Sequence, residues 1–176
     1  MLDPVIAALF FIVGMFDMSA NYCGQPGGCL AYDDAQSRLG VSAGQVIFDD
    51  VNIDQEAYLR YELGQMRGPF QPYLGLSATM DGAVWAGVGS TWTHQFDRVY
   101  VQLALGAGLY VPNGGVDLGH TVEFRSEAEI GYQFDNGVRM GLMVDHRSNA
   151  GLGDINPGLE TVQVRVTVPL GRKVAR

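Results

Sequence analysis

The sequence predicts an all-β fold, an eight-stranded antiparallel up-and-down transmembrane β-barrel, on three observations. From Ser37 onward apolar and polar residues alternate in short runs, the two-residue period of a strand. Glycine, asparagine and aspartate break the alternation between runs, as hairpin turns require. The apolar rows are long and unbroken, whereas the opposite rows mix glycine with glutamate and arginine. That combination suits a wall facing lipid outside and a crowded polar lumen inside.

Eight runs carry the pattern, over residues 37–48, 52–64, 70–79, 83–95, 98–110, 121–134, 137–148 and 159–170. In the second, Ala57, Leu59, Tyr61 and Leu63 oppose Glu56, Tyr58, Arg60 and Glu62. In the fifth, Val99, Val101, Leu103, Leu105 and Leu109 oppose Tyr100, Gln102, Gly106 and Gly108. In the sixth, Val122, Phe124, Ser126, Ala128 and Ile130 oppose Glu123, Arg125, Glu127 and Glu129. Tight connections are expected at Asp81-Gly82, Phe96-Asp97 and Asp135-Asn136-Gly137, and longer ones over 111–120 and 149–158. Phe48, Trp92, Phe96, Tyr100, Tyr110, Tyr132 and Phe134 stand near strand ends and read as interfacial girdles. A soluble barrel of the lipocalin kind, its apolar face turned inward, is the alternative architecture. The girdles and the mixed-charge rows favour the membrane barrel. With the N-terminus in the periplasm, the longer loops fall outside the cell.

Ahead of the barrel, residues 5–16 form an apolar run too short for a comfortable membrane span. Residues 1–20 therefore read as an export signal, although Asp3 stands where basic residues are usual. A retained helix or a plug is the alternative. Residues 21–36 read as a periplasmic segment, 37–170 as the barrel and 171–176 as a basic tail. Cys23 and Cys29 flank a Gly-rich turn and are expected to form a disulfide rather than a zinc site, with free thiols as the other reading. The net charge of −8 and the single lysine, Lys173, exclude a nucleic-acid partner. No motif calls for a metal or a cofactor.

Chemistry concentrates in the last hairpin. His146 and Ser148 share a face with Val144, Leu142 and Met140, and Glu160 shares one with Val162, Val164 and Val166. Pairing His146 with Glu160 puts Val144 opposite Val162, Leu142 opposite Val164 and Met140 opposite Val166. A hydroxyl, a base and a carboxylate then meet at the rim end of an otherwise apolar outer stripe. Ser148 is the candidate nucleophile, His146 its base and Glu160 the group orienting the imidazole. Asn149 and the N–H groups of Ala150 and Gly151 are candidate oxyanion donors. A site on the outer wall at head-group level meets lipid esters where the acyl chain joins its head group. Arg147 and Asp145 should face the lumen and pair with Glu129 or its neighbours. His94 reads as interfacial, His120 beside Asp117 as a loop-stabilising residue, and Glu127 with Glu129 as lumen ion-pair partners rather than an acid–base pair.

The segment His146-Arg147-Ser148-Asn149-Ala150, with Glu160 following, resembles the lipid A 3-O-deacylase (PagL-like) family of outer-membrane barrels. The resemblance implies a Gram-negative outer-membrane ester hydrolase that removes the 3-O-linked acyl chain of lipid A. It implies lipopolysaccharide in the outer leaflet and membrane lipid as partners, with a homodimer left open. It assigns Ser148, His146 and Glu160 the roles above, with Asn149 aiding the oxyanion. The specific match covers roughly the last thirty residues. The chain departs from outer-membrane barrels in ending its last strand Val168-Pro169-Leu170, without a terminal aromatic. A phospholipid acyl hydrolase and a non-catalytic lipid-binding envelope barrel are the competing functions.

Overall fold

A computed structural model describes residues 3–171. The chain opens with α1 (Asp3–Asn21), then β1 (Tyr32–Asp34), β2 (Arg38–Phe48), β3 (Val51–Glu62) and β4 (Gln65–Arg67). It continues through β5 (Phe70–Thr79), β6 (Val84–Phe96), β7 (Val99–Val111), β8 (Val122–Gln133), β9 (Arg139–Ser148) and β10 (Leu159–Pro169). The eight long strands coincide with the eight predicted runs to within a few residues at each end. They pair antiparallel with their sequence neighbours, and β10 pairs back onto β2, so the sheet closes and leaves no open edge. The short strands β1 and β4, which the alternation did not reveal, pair with each other at the end of the barrel away from residues 149–158. Three residues are too few to display a period.

The faces are sorted as a bilayer demands. Leu59, Leu74, Val88, Leu109, Ile130, Leu142 and Val164 lie exposed on the outer wall. The lumen is filled by side chains rather than open. At mid-height Arg60 pairs with Glu127 at 2.7 Å and with Glu62 at 2.9 Å. Arg165 pairs with Glu129 at 2.8 Å and with Glu127 at 3.0 Å. In such a confined space each charge must find a counter-charge, since an isolated buried ion is costly. Nearer the mouth that carries residues 149–158, Val46, Tyr58, Trp85, Tyr110, Leu118, Met143 and Leu159 form an apolar cluster.

Part of the expected girdle is corrected here. Trp92, His94 and Phe96 form a row of outward rings at the opposite end, with Tyr132 and Phe134 forming a second pair. Tyr100 and Tyr110 point inward, under Arg139 and Arg147 respectively, and Phe48 packs against the mouth cluster. Their strand position suited a girdle, but their parity puts them on the lumen side.

The described part of the signal-like segment is one helix, and it does not enter the lumen. α1 lies on the outer wall against β7, β8 and β9. Phe10 packs with Trp92 and Leu103, Gly14 sits beneath the Phe70 ring, and Asp17 accepts a 2.7 Å hydrogen bond from the Trp92 indole. No helix among the described residues is long and apolar enough to cross a membrane. The chain then turns through the Cys23–Cys29 disulfide. Of the basic tail, residues 172–176 lie outside the described residues.

Candidate active site

The register of the last hairpin is the one the apolar rows require. Glu160 pairs with His146, Val162 with Val144, Val164 with Leu142 and Val166 with Met140. Because side chains alternate along a strand, this puts His146, Ser148 and Glu160 on the outer face near the end that carries residues 149–158. The Glu160 carboxylate lies 3.8 Å from His146 Nδ1. That separation is longer than a hydrogen bond.

The three residues face outward, but His146 and Ser148 are covered whereas the Glu160 side chain is 27% exposed. His146 and Ser148 are each 6% exposed, whereas Leu142 lower on the same face is 53% exposed. The cover is the 149–158 loop. Asn149 anchors it: its side-chain amide donates to Leu118 O at 2.8 Å and to Ile155 O at 2.7 Å, and its oxygen accepts from Gly151 N. Asn156 Oδ1 accepts from Asn149 N at 3.0 Å. Ala150, directly after the motif, has a φ of 53°, a conformation few non-glycine residues adopt. The loop returns through Gly158 (φ 75°), whose backbone presses on the imidazole; a Cβ there would lie 2.7 Å from His146 Cε1.

Beside His146 and Glu160 opens a cleft of about 310 Å³. Asn156, Pro157 and Gly158 line one side of it, and Asp49 and Asp50 line the other. Asp49 and Asp50 both have positive φ, the signature of a type I′ hairpin turn, which brings the β2–β3 turn up to the site.

Asn149 is fully buried, and both donors of its amide are spent on the loop rather than aimed outward. Gly151 N–H is likewise spent on Asn149. His120 Nδ1 accepts from Val122 N at 3.0 Å and Asp117 accepts from Gly119 N at 2.9 Å, so both fix a loop. Glu127 and Glu129 sit in the lumen ion-pair network. Among the described residues no group of three or more His, Cys, Asp or Glu side chains could hold a metal. Arg147 pairs with Glu56 at 2.5 Å rather than with Glu129, which lies lower on β8 opposite Met143.

One neighbour escaped the sequence reading. Ser126 is paired with His146 on the β8 side and is buried on the outer face. The signal was present: Ser126 is the one hydroxyl in the outward row Phe124, Ser126, Ala128 and Ile130.

The model of the family described as lipid A 3-O-deacylase (PagL) matches residues 48–169. The lipid A deacylase PagL of Bordetella bronchiseptica is 32% identical over 78 residues, a match spanning 43% of this chain and 43% of that protein. The crystal structure of the outer membrane enzyme PagL superposes with a TM-score of 0.57 at 17% identity, over 76% of this chain and 99% of that one. A de novo designed transmembrane β-barrel superposes with a TM-score of 0.55 at 14% identity, over 78% of this chain and 98% of the design. At such identities the structural likeness speaks for the fold.

Proposed function

Because the chain belongs to the lipid A 3-O-deacylase (PagL) family and is an outer-membrane β-barrel, we propose that it hydrolyses the ester holding the 3-O-linked acyl chain of lipid A. What supports the proposal is the register of the last hairpin: Glu160 pairs with His146, and Ser148 shares the outward face of His146 two residues on. The substrate is lipopolysaccharide of the outer leaflet, reached from the side without leaving the bilayer.

Ser148 Oγ attacks the ester carbonyl while His146 takes the hydroxyl proton. Glu160 holds the imidazole in place and stabilises its cation. We assign the Ala150 N–H, next along the loop, to the developing oxyanion, with Asn149 holding that loop in shape and Gly151 following it. The tetrahedral intermediate collapses as His146 returns the proton to the departing sugar oxygen. Water, activated by the same imidazole, then releases the fatty acid from Ser148. In this reading residues 1–20 are an export signal, 21–36 a periplasmic segment and 37–170 the barrel.

The test is mass spectrometry of lipid A from cells expressing the protein. The expected result is loss of one 3-hydroxyacyl chain with the wild type and intact lipid A with Ser148→Ala, the variant still folding. Full turnover by Ser148→Ala overturns the nucleophile assignment. Unchanged lipid A with accumulating lysophospholipid overturns the substrate.

A further inference from the structure

On the lumen side of the site, the residues that alternate with the outward trio are Asp145 and Arg147 on β9 and Thr161 on β10. All three are almost wholly buried. Asp145 accepts a 2.7 Å bond from Arg125 Nη2 and a short one from the Thr161 hydroxyl, its register partner. It thereby ties β9 to β10 behind the His146–Glu160 rung. Arg147 donates to Glu56 Oε2 at 2.5 Å. Glu56 belongs to β3, across the lumen. Its carboxylate also accepts from Arg125 at 3.0 Å, Gln163 at 2.8 Å and Ser77 at 2.9 Å. One buried carboxylate thus gathers β3, β5, β8, β9 and β10.

We infer that Arg147 and Glu56 are positioning residues, which set the placement of Ser148 and His146 from the far side of the sheet. This rests on the function proposed above. The peptides on either side of Arg147 carry His146 and Ser148, and a strand transmits displacement of one residue to its neighbours. A guanidinium fixed by a charge-assisted bond across the lumen holds those peptides still. Stability alone does not demand such a pair, because apolar residues of equal volume commonly serve as well in a buried setting. The mid-height network is the internal control. Arg165 is as deeply buried and as fully paired, with Glu127 and Glu129, yet it sits further down β10, opposite Gly141.

The experiment uses the full chain folded in detergent and a long-chain alkyl fluorophosphonate. Ser148 Oγ forms a bond to phosphorus, the P–F bond breaks, fluoride leaves and His146 takes the proton. The labelling rate reports nucleophile geometry whatever the natural lipid is, and kcat and KM on lipid A are measured alongside. Arg147→Met is expected to lower the labelling rate and kcat about 10- to 100-fold with KM little changed, the scale of loss when a reacting group is misplaced by about an ångström. Arg165→Met is expected to stay within about twofold of wild type, because its ion pairs reach the upper ones through the looser 3.7 Å contact between Arg125 and Glu127. Folding of each variant is checked by heat-modifiable migration. If Arg147→Met fails to fold, Glu56→Gln, close to isosteric, is read in its place with the same expectation. Wild-type labelling by the folded variant overturns the inference, as does equal slowing by Arg165→Met. A wild type that labels but leaves lipid A intact, with Arg147→Met labelling slowly, overturns the substrate proposal and supports the positioning role. A wild type that does not label overturns both.

Discussion

The lower and upper parts of the β9–β10 ladder share one register and carry opposite chemistry. Below, Met140 faces Val166, Leu142 faces Val164 and Val144 faces Val162, and the largest of these side chains stand about half exposed on the outer wall. Above, His146 faces Glu160 and Ser148 follows, and both β9 residues are nearly inaccessible. The backbone makes no distinction between the two parts. What differs is depth and cover: the upper rungs lie at the rim beneath the 149–158 loop, where polar groups on the outer face are least costly. The ladder therefore sets an apolar stretch and a polar one side by side on one surface, as the proposed lipid ester substrate requires.

Two substitutions break the contrast from opposite ends. Glu160→Val extends the lower pattern by one rung. Its expected effect is the larger, a fall in deacylation of about 10³-fold, because the imidazole loses the group that orients it and stabilises its cation. Stability in urea should hold or rise. Deacylation near the wild-type rate from a folded Glu160→Val protein sinks the orienting role. Leu142→Arg carries a charge down into the apolar part. It should destabilise the barrel by about 2–4 kcal/mol, measured by equilibrium unfolding in lipid vesicles, the cost of arginine near the bilayer midplane. No change there means that the wall below the site does not face lipid.

The contrast was legible in the sequence because it is local. Strand parity and the valine row of β10 suffice to pair Glu160 with His146, and alternation alone locates all eight long strands. What was not legible depends on closure. Arg147 finds Glu56 only because β10 pairs with β2, which carries β3 round to face β9 across the lumen. No spacing between positions 56 and 147 records that. Tyr100 and Tyr110 mark strand ends in the sequence as a girdle residue does, and parity had to be weighed above position to turn them inward. Helix α1 shows apolar residues on every side, so its pattern names no face to pack, and its seat on the outer wall comes from Trp92, Phe70 and Leu103, far along the chain. Asn149 follows Ser148 as an oxyanion donor would, but strand alternation sends its amide inward to Leu118 O.

The smallest effect tests the cover rather than the trio. Gly158 closes the loop with a φ of 75° and leaves no room for a side chain over the imidazole. Gly158→Ala adds a methyl whose carbon would meet His146 Cε1 at 2.7 Å, so the ring or the loop must yield. The backbone strain of alanine at positive φ is expected to cost about 1 kcal/mol. Displacement of the base should lower kcat about tenfold, as small errors in the placement of a reacting group do. Replacing Gly151, also at positive φ but with nothing near its absent side chain, should bring the backbone cost without the kinetic one. Steady-state kinetics on both variants separates the two contributions. Equal kcat losses mean that loop conformation governs turnover, whereas a loss confined to Gly158→Ala means that the cover acts through the imidazole it touches.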